Sequence, residues 1–343
     1  MKTKTRLMMK AIVLSAATGP ANLKFQNIAT PEPGPGQVRV RLHASALNRR
    51  DFWITKGMYP DIKLPAILGS DGAGIVDGVG EGVDNSHTGE QVVIYPVYGW
   101  GNDPRIPGPD FRILGMPEPG TFAESVCVPL ANIYPKPGHL DWGETAAISL
   151  AGLTAWRALV TKARIRPGEK LLVTGIGGGV ATLILLWAIG LGAEVYVTSG
   201  NEEKLQRAQA LGAAGGVNYK RDGWGGALRD LCAGVDVVID GNSGPLFQPC
   251  FDALNPAGRY IVYGYTQGVP GKGVDMARLF FRQLRIEGTT MGTPDEYAAM
   301  LNFVCEHRIK PVIDKVFDLE HAAAAHEYIG SGSQMGKVVL RHL

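Results

Sequence analysis

The segment KLLVTGIGGGVATLILL, residues 170–186, restricts the fold more than any other part of this chain. A short apolar strand pattern runs into a glycine cluster, and an apolar helical pattern follows at once. Gly175, Gly177, Gly178 and Gly179 allow a tight turn and a backbone approach that a Cβ would block. A helix beginning near Val180 then offers unpaired N–H groups and the positive end of its dipole, which together suit a pyrophosphate. Valine stands where the third glycine of a GxGxxG spacing would be, and a glycine cluster alone could be a simple turn. Its setting argues for the nucleotide loop. It opens a series of strand patterns at 170–174, 193–198, 216–219, 235–240, 259–264 and 285–290, with helical patterns between them. Strands alternating with helices in this way predict a doubly wound parallel sheet that binds ligands at the carboxyl ends of its strands.

A chain of 343 residues exceeds one ordinary core. Residues 1–137 carry short alternating strands broken by Pro/Gly turns, such as QVRVRLHAS and PEPGPGQ, and form a β domain. The α/β domain covers 138–292. The remainder, 293–343, has no core of its own and is expected to complete the first domain. A formal net charge of +2 gives no general attraction to nucleic acid or to acidic membranes. Cys127, Cys232, Cys250 and Cys305 are scattered, which favours neither a disulfide framework nor a cysteine zinc cluster, and suits a reducing cytoplasm. The N-terminal MKTKTRLMMK has no apolar region after its charges and does not read as a leader. The most apolar run, TLILLWAIGLGA at 182–193, is too short to span a bilayer and reads as a buried helix.

The second strand of the α/β domain bears on the cofactor. An Asp or Glu at its tip would grip the ribose hydroxyls of NAD(H). Here AEVYVTSGNEEK ends on Thr198, Ser199 and Gly200, with Lys204 on the next helix. A hydroxyl and a lysine suit the 2′-phosphate of NADP(H), which a carboxylate would repel. The plainer alternative makes Glu202 and Glu203 a solvated helix start and Lys204 a surface charge.

With these features in place, residues 9–341 resemble the medium-chain dehydrogenase/reductase family, and within it the zinc-independent quinone oxidoreductases and enoyl reductases. The resemblance rests on ALNRRDFWITKGMYP, LGSDGAGIVDGVGEGV, ISLAGLTAWRAL, TGIGGGVA and GKVVL. It implies an α/β fold, with a Rossmann doubly wound parallel sheet and a GroES-like β-barrel catalytic domain. In zinc-dependent relatives the metal is held by a Cys, a His, and a third Cys or Asp. Those positions fall here on Asn48, Ser70 and Leu150, and the 96–120 loop lacks the four cysteines of a structural zinc. Without a Lewis acid an alkoxide is poorly stabilised, whereas hydride addition to a conjugated carbonyl spreads charge onto an enolate.

The resemblance therefore implies NADPH-dependent reduction of a small quinone or enone. It places Asn48 by the nicotinamide. Tyr59 either hydrogen-bonds or protonates the substrate, or is an amphipathic residue at the domain edge. Asp51 is expected to fix local backbone, and Ser70 and Asp71 to make local hydrogen bonds. The same resemblance gives cofactor contacts to Thr154, Tyr219, Met335, Gly336 and Lys337, the last also readable as a strand-edge charge. Asn242, Gly264 and Tyr265 follow the fourth and fifth strands at the ligand edge. His43 is expected to be packed, and His307, His321 and His326 to face solvent. A homodimer is implied, through sheet edges near 259–264 and 285–290. Two rival readings stay open: an NADPH-binding structural or sensing protein, and a zinc-type alcohol dehydrogenase with substituted ligands.

Overall fold

The computed structural model describes residues 7–342. Residues 1–6, most of the basic stretch read as lacking a leader, lie outside them. The chain divides into two compact units, one running to Ala151 and resuming at Gly292, the other spanning Gly152–Met291. The first unit thus extends beyond residue 137. A helix at Trp142–Ala147, closed by reciprocal bonds between Asp141 and Glu144, lays Ala146 and Ala147 against Ala44, Ala46, Ala73 and Val339.

The first unit is built on the ten-residue strand Gln37–Ala46, which pairs antiparallel with Asp71–Val79, Ser125–Pro129 and Lys337–Arg341. Along QVRVRLHASA the side chains of Val38, Val40, Leu42 and Ala44 turn inward, the period of two expected of a half-buried strand. The first three join Val76, Val92, Ile94, Val126 and Val128 in one core. Strand Lys337–Arg341 sets Val339 opposite Ala46 and pairs parallel with Ile313–Asp318, so the last segment of the chain is part of this sheet. The glycines of LGSDGAG serve cross-strand approach. A Cβ on Gly74 would lie 2.1 Å from the Arg41 carbonyl oxygen, and the register shifts between Leu42 and Ala44 at that point.

In the second unit all six strands are parallel, in the order Gly215–Asn218, Glu194–Ser199, Lys170–Val173, Val235–Asp240, Leu254–Val262, Arg285–Gly288. This is the doubly wound order, and every strand expected from the sequence is present. Helix Gly179–Gly190 buries Ala181 through Leu185, Trp187 and Ala188, as an all-round apolar helix must. Among the described residues no helix is long and apolar enough to cross a membrane.

Candidate functional site

The sequence-predicted residues fall into two constellations, one in each unit. In the first unit Asn48 ends the approach from strand Gln37–Ala46 and caps helix Arg49–Thr55. Its N–H donates to Asp51 Oδ2 at 2.8 Å, and the Asp51 N–H donates to the Asn48 carbonyl at 3.0 Å, so Asp51 does fix local backbone. Asp51 is fully buried, and its Oδ1 has no hydrogen-bond partner. Burial pushes its pKa up to about 6, against the pull of Arg50 and the Asn48 N–H.

The Asn48 side chain meets residues from two distant segments. Nδ2 donates to Asp71 Oδ2 at 2.9 Å, while Oδ1 accepts from Lys337 Nζ at 2.7 Å. The same ammonium donates to Asp71 Oδ2 at 2.7 Å, and Asp71 Oδ1 accepts the Leu150 N–H at 2.7 Å. Asp71 is thus the hub of a chain-spanning network, not a residue with local bonds as the sequence suggested. Ser70 departs from that expectation too. Its hydroxyl accepts from Arg50 Nη1 at 2.7 Å and donates to the Leu114 carbonyl at 2.7 Å.

The three positions that hold zinc in relatives therefore present a bonded carboxamide, a doubly bonded hydroxyl and the side chain of Leu150. The Asp71 carboxylate beside them is paired with the buried Lys337 ammonium at 2.7 Å. This donor set does not fit zinc, which takes thiolate, imidazole or carboxylate. Among the described residues no cluster of three or more His, Cys, Asp or Glu could hold a metal ion.

Tyr59 is partly buried against the hydrophobic core, with the Arg50 guanidinium over its ring at 5.1 Å and Arg50 Nε 3.5 Å from its hydroxyl. Met335 is fully buried. Gly336 holds φ at +104°, where a Cβ would strike the Val312 carbonyl oxygen. Lys337 is 3% exposed, its ammonium spent on Asn48 and Asp71. His43 stacks on Trp142 at 4.4 Å, as a packed histidine should. His307 and His321 are exposed, but His326 is fully buried, contrary to expectation. It lies on the stripe Ala322, Ala325, His326, Ile329 of helix Ala322–Ser331, whose spacing marks the inward face.

In the second unit the glycine loop takes the form its sequence demands. Gly175 has φ +63°, and a Cβ there would meet the Asn242 side chain at 2.6 Å. Its N–H donates to Thr198 Oγ1 at 3.2 Å, which ties the loop to the second strand. Gly177 lies in the turn, and the helix starts at Gly179 with Val180 in its first turn; Gly178 ahead of it makes no side-chain cap. That leaves the first N–H groups for an anion. Thr154 is buried, its hydroxyl 3.9 Å from Met291 Sδ.

Asn242 donates its N–H to Asp240 Oδ1 at 2.8 Å. Asp240 is fully buried at the carboxyl end of the fourth strand and also accepts from Thr174, Ser243 and Tyr260, which fixes the loop carrying Asn242. Gly264 lies against Gly241, and Tyr265 beside it is exposed.

At the tip of the second strand, Ser199 Oγ accepts the Asn201 N–H, and Asn201 Oδ1 accepts that of Lys204, each at 3.2 Å. The structure adds two cations that the sequence reading passed over. A Cβ on Gly200 would lie 2.8 Å from Lys220 Cε and 3.0 Å from Tyr219 Oη, so both side chains roof that glycine. Arg221 pairs with Glu202 at 2.8 Å, and Asn218 donates to the same oxygen, so Glu202 is anchored and not freely solvated. The signal was available, since Lys220 and Arg221 directly follow Tyr219 at the end of the third strand.

Comparison with known proteins matches residues 34–138 to the alcohol dehydrogenase GroES-like domain and 179–306 to the zinc-binding dehydrogenase domain. The chain is 36% identical to the zinc-type alcohol dehydrogenase-like protein YogA of Leptosphaeria maculans, over 93% of this chain and 94% of that protein. The chain belongs to the medium-chain dehydrogenase/reductase family. Within that family it falls in the quinone oxidoreductase-like branch. It is 30% identical to the quinone oxidoreductase of Rattus norvegicus, covering 97% of this chain and 98% of that one. It is also 28% identical to a 2-haloacrylate reductase of a Burkholderia species, over 97% and 99%. A solved structure described as an NAD-dependent alcohol dehydrogenase superposes with a TM-score of 0.91 at 41% identity, covering 97% and 99% of the two chains. This member of the family is accordingly an oxidoreductase that depends on a pyridine nucleotide and acts on small molecules.

Proposed function

We propose that the protein is an NADPH-dependent reductase of quinones or α,β-unsaturated carbonyls that works without zinc. The observation that carries this reading is the Asn48–Asp71–Lys337 network, an amide and an internal ion pair where relatives assemble a metal. Bound NADPH supplies hydride. The chain's part is to bind and orient: the glycine loop and helix Gly179–Gly190 for the pyrophosphate, Asn48 as a donor toward an oxygen gaining charge, and Tyr59 beside Arg50 as a second polar group for the substrate. Thr154, Asn242, Gly264, Tyr265, Met335 and Gly336 belong to this reading as cofactor contacts. Lys337 belongs to it through Asn48. The likeness to a quinone oxidoreductase and a 2-haloacrylate reductase supports the choice of substrate class, and a cytoplasmic location goes with it.

The test is NADPH oxidation against a panel of quinones, enones and enoyl thioesters, before and after chelation, with metal content measured on the same protein. Turnover of an electron-poor alkene or quinone, unchanged by chelation, is expected, with simple primary alcohols poor substrates. One zinc per chain whose removal abolishes activity would favour the rival reading, a zinc-type alcohol dehydrogenase. The 41% identity to a protein described as an NAD-dependent alcohol dehydrogenase is what keeps that rival in view. Cofactor binding without turnover of any substrate would favour the sensing role.

For the cofactor, we infer that a 2′-phosphate lies by Gly200, which Tyr219 and Lys220 roof, with Ser199 before it in the strand and Lys204 on the helix that follows. One charge-assisted contact contributes roughly 1.5–3 kcal/mol, or about 10–100-fold in affinity. Lys204→Glu and Lys220→Glu should each erode the preference for NADPH over NADH in titrations at fixed salt. Equal affinities of the parent protein for the two cofactors would refute the assignment.

A homodimer completes the proposal. The fifth strand, Leu254–Val262, is paired on both sides, so of the two strands expected at the interface Arg285–Gly288 is the one at a sheet edge, Gly215–Asn218 forming the opposite edge. Within the same unit, helix Met276–Phe281 leaves Phe281 77% and Met276 65% exposed, and Ile286 on the edge strand is 37% exposed. Bare strand edges and apolar side chains together suit a second copy of the chain. Sedimentation should give twice the chain mass and Phe281→Asp a monomer; a monomeric parent would end this part of the proposal.

A further inference from the structure

We propose that Lys337 is the positioning residue that locks the Asn48 carboxamide in one orientation, so that the group it offers to a reacting oxygen is an N–H donor. This deepens the reductase reading and rests on it. An ammonium has three donors and no acceptor, so the atom of Asn48 that lies 2.7 Å from Lys337 Nζ must be the carbonyl oxygen. The other end of the amide then faces Asp71 Oδ2 at 2.9 Å, and an ionised carboxylate only accepts. Flipping the amide would set N–H groups against the ammonium and a carbonyl oxygen against the carboxylate, two repulsive contacts at once.

The three residues are nearly or fully buried, which leaves water little chance to relieve either contact. Asp71 cannot swing away, because its second oxygen holds the Leu150 N–H at 2.7 Å. Nδ2 carries two hydrogens, and Asp71 takes one. The second has no acceptor among the described contacts and is the part of Asn48 left for a ligand. A donor there complements an oxygen that gains negative charge as hydride adds to a conjugated carbonyl. An amide free to flip would present its own carbonyl oxygen part of the time and repel that charge.

The test compares Asn48→Ala in the parent with Asn48→Ala in the charge-neutral pair Lys337→Met/Asp71→Asn. In the parent, Asn48→Ala should lower kcat roughly 10²-fold, the scale for loss of one such donor. KM for the carbonyl substrate and affinity for NADPH should stay within about twofold, since uniform binding is untouched. In the paired background the same substitution should cost almost nothing more. An equal fold-loss in both backgrounds would overturn the proposal.

Side-chain amide NMR with 15N-asparagine labelling gives a readout that needs no turnover. The Asn48 side-chain amide protons should be protected from exchange with solvent in the parent, where Asp71 holds one of them, and should exchange much faster in the paired variant. An unchanged exchange rate would also overturn the proposal. If the parent reduces no substrate in the panel, the reductase reading fails, and the amide exchange rates alone decide whether Lys337 holds the amide. Should the pair fail to fold, Asn48→Asp serves, since it keeps an oxygen for Lys337 and loses the N–H. It should match the kcat of Asn48→Ala, and parental kcat in Asn48→Asp would refute the donor role.

Discussion

Replacing Lys337 by methionine is expected to cost roughly 3–5 kcal/mol of stability, the scale for stranding one partner of a buried ion pair. Asp71 is fully buried, and without the ammonium its Oδ2 keeps only the Asn48 Nδ2 bond at 2.9 Å. Adding Asp71→Asn removes the stranded charge and should restore most of the loss, because a neutral amide can still bond Asn48 and the Leu150 N–H. Urea denaturation of the two variants and the parent measures this. A loss below about 1 kcal/mol in Lys337→Met would place the pair with exposed ion pairs of little worth.

Acid should destabilise the first unit through two histidines buried in it. His326 Nδ1 lies 2.7 Å from the Ala322 carbonyl, so that nitrogen carries the hydrogen, and Nε2 has no partner. Protonating Nε2 would bury a charge and a donor with no acceptor, and burial lowers the pKa of His326 to about 4. His342, bonded to Ser45 Oγ at 2.9 Å, is lowered to about 3, chiefly by burial.

For a group depressed on folding, the stabilisation is complete above the unfolded value of 6.5 and is lost as pH falls toward the folded value. Between pH 6.5 and 5 each histidine costs roughly 2 kcal/mol at about 1.4 per pH unit. Asp51 acts in the opposite sense. Raised from 3.8 to about 6, it takes up a proton more readily when folded and returns roughly 1 kcal/mol between pH 6 and 5. The net loss by pH 5 from these three groups is roughly 2–3 kcal/mol. His326→Leu should flatten the stability–pH slope in this window, and an unchanged slope would show that His326 does not bind the proton.

The α/β half of the fold was legible because parallel strands are buried on both faces and read as short apolar runs between helices. Segments such as VDVVID and KLLV announce themselves without knowledge of their partners. The glycine loop was legible for a related reason, since its glycines and the apolar patterns on either side of it are contiguous in the chain. The Asn48 network was not. Asp71 reads as one more polar residue in a glycine run, and its partner stands 266 residues away at the head of an apolar strand. Spacing carries no information over that distance. His326 was a different kind of miss, because its stripe was present but made of alanines, whose small apolar surface gives a faint pattern. Lys220 and Arg221 were passed over because Lys204 already supplied a charge on the helix that an acid would have preceded.

That long separation also bears on synthesis. A ribosome adds roughly 5–20 residues per second, so about 10–50 s pass between the emergence of Asp71 and that of Lys337. Over that interval the nascent sheet has strands Gln37–Ala46 and Asp71–Val79 available to pair, but neither the closing strand nor the cation for its buried carboxylate. The second unit, whose six strands lie contiguously between these pieces, can fold while the first still waits. Arrested chains that stop short of residue 337 should therefore protect the parallel sheet from proteolysis and leave the first unit open to it.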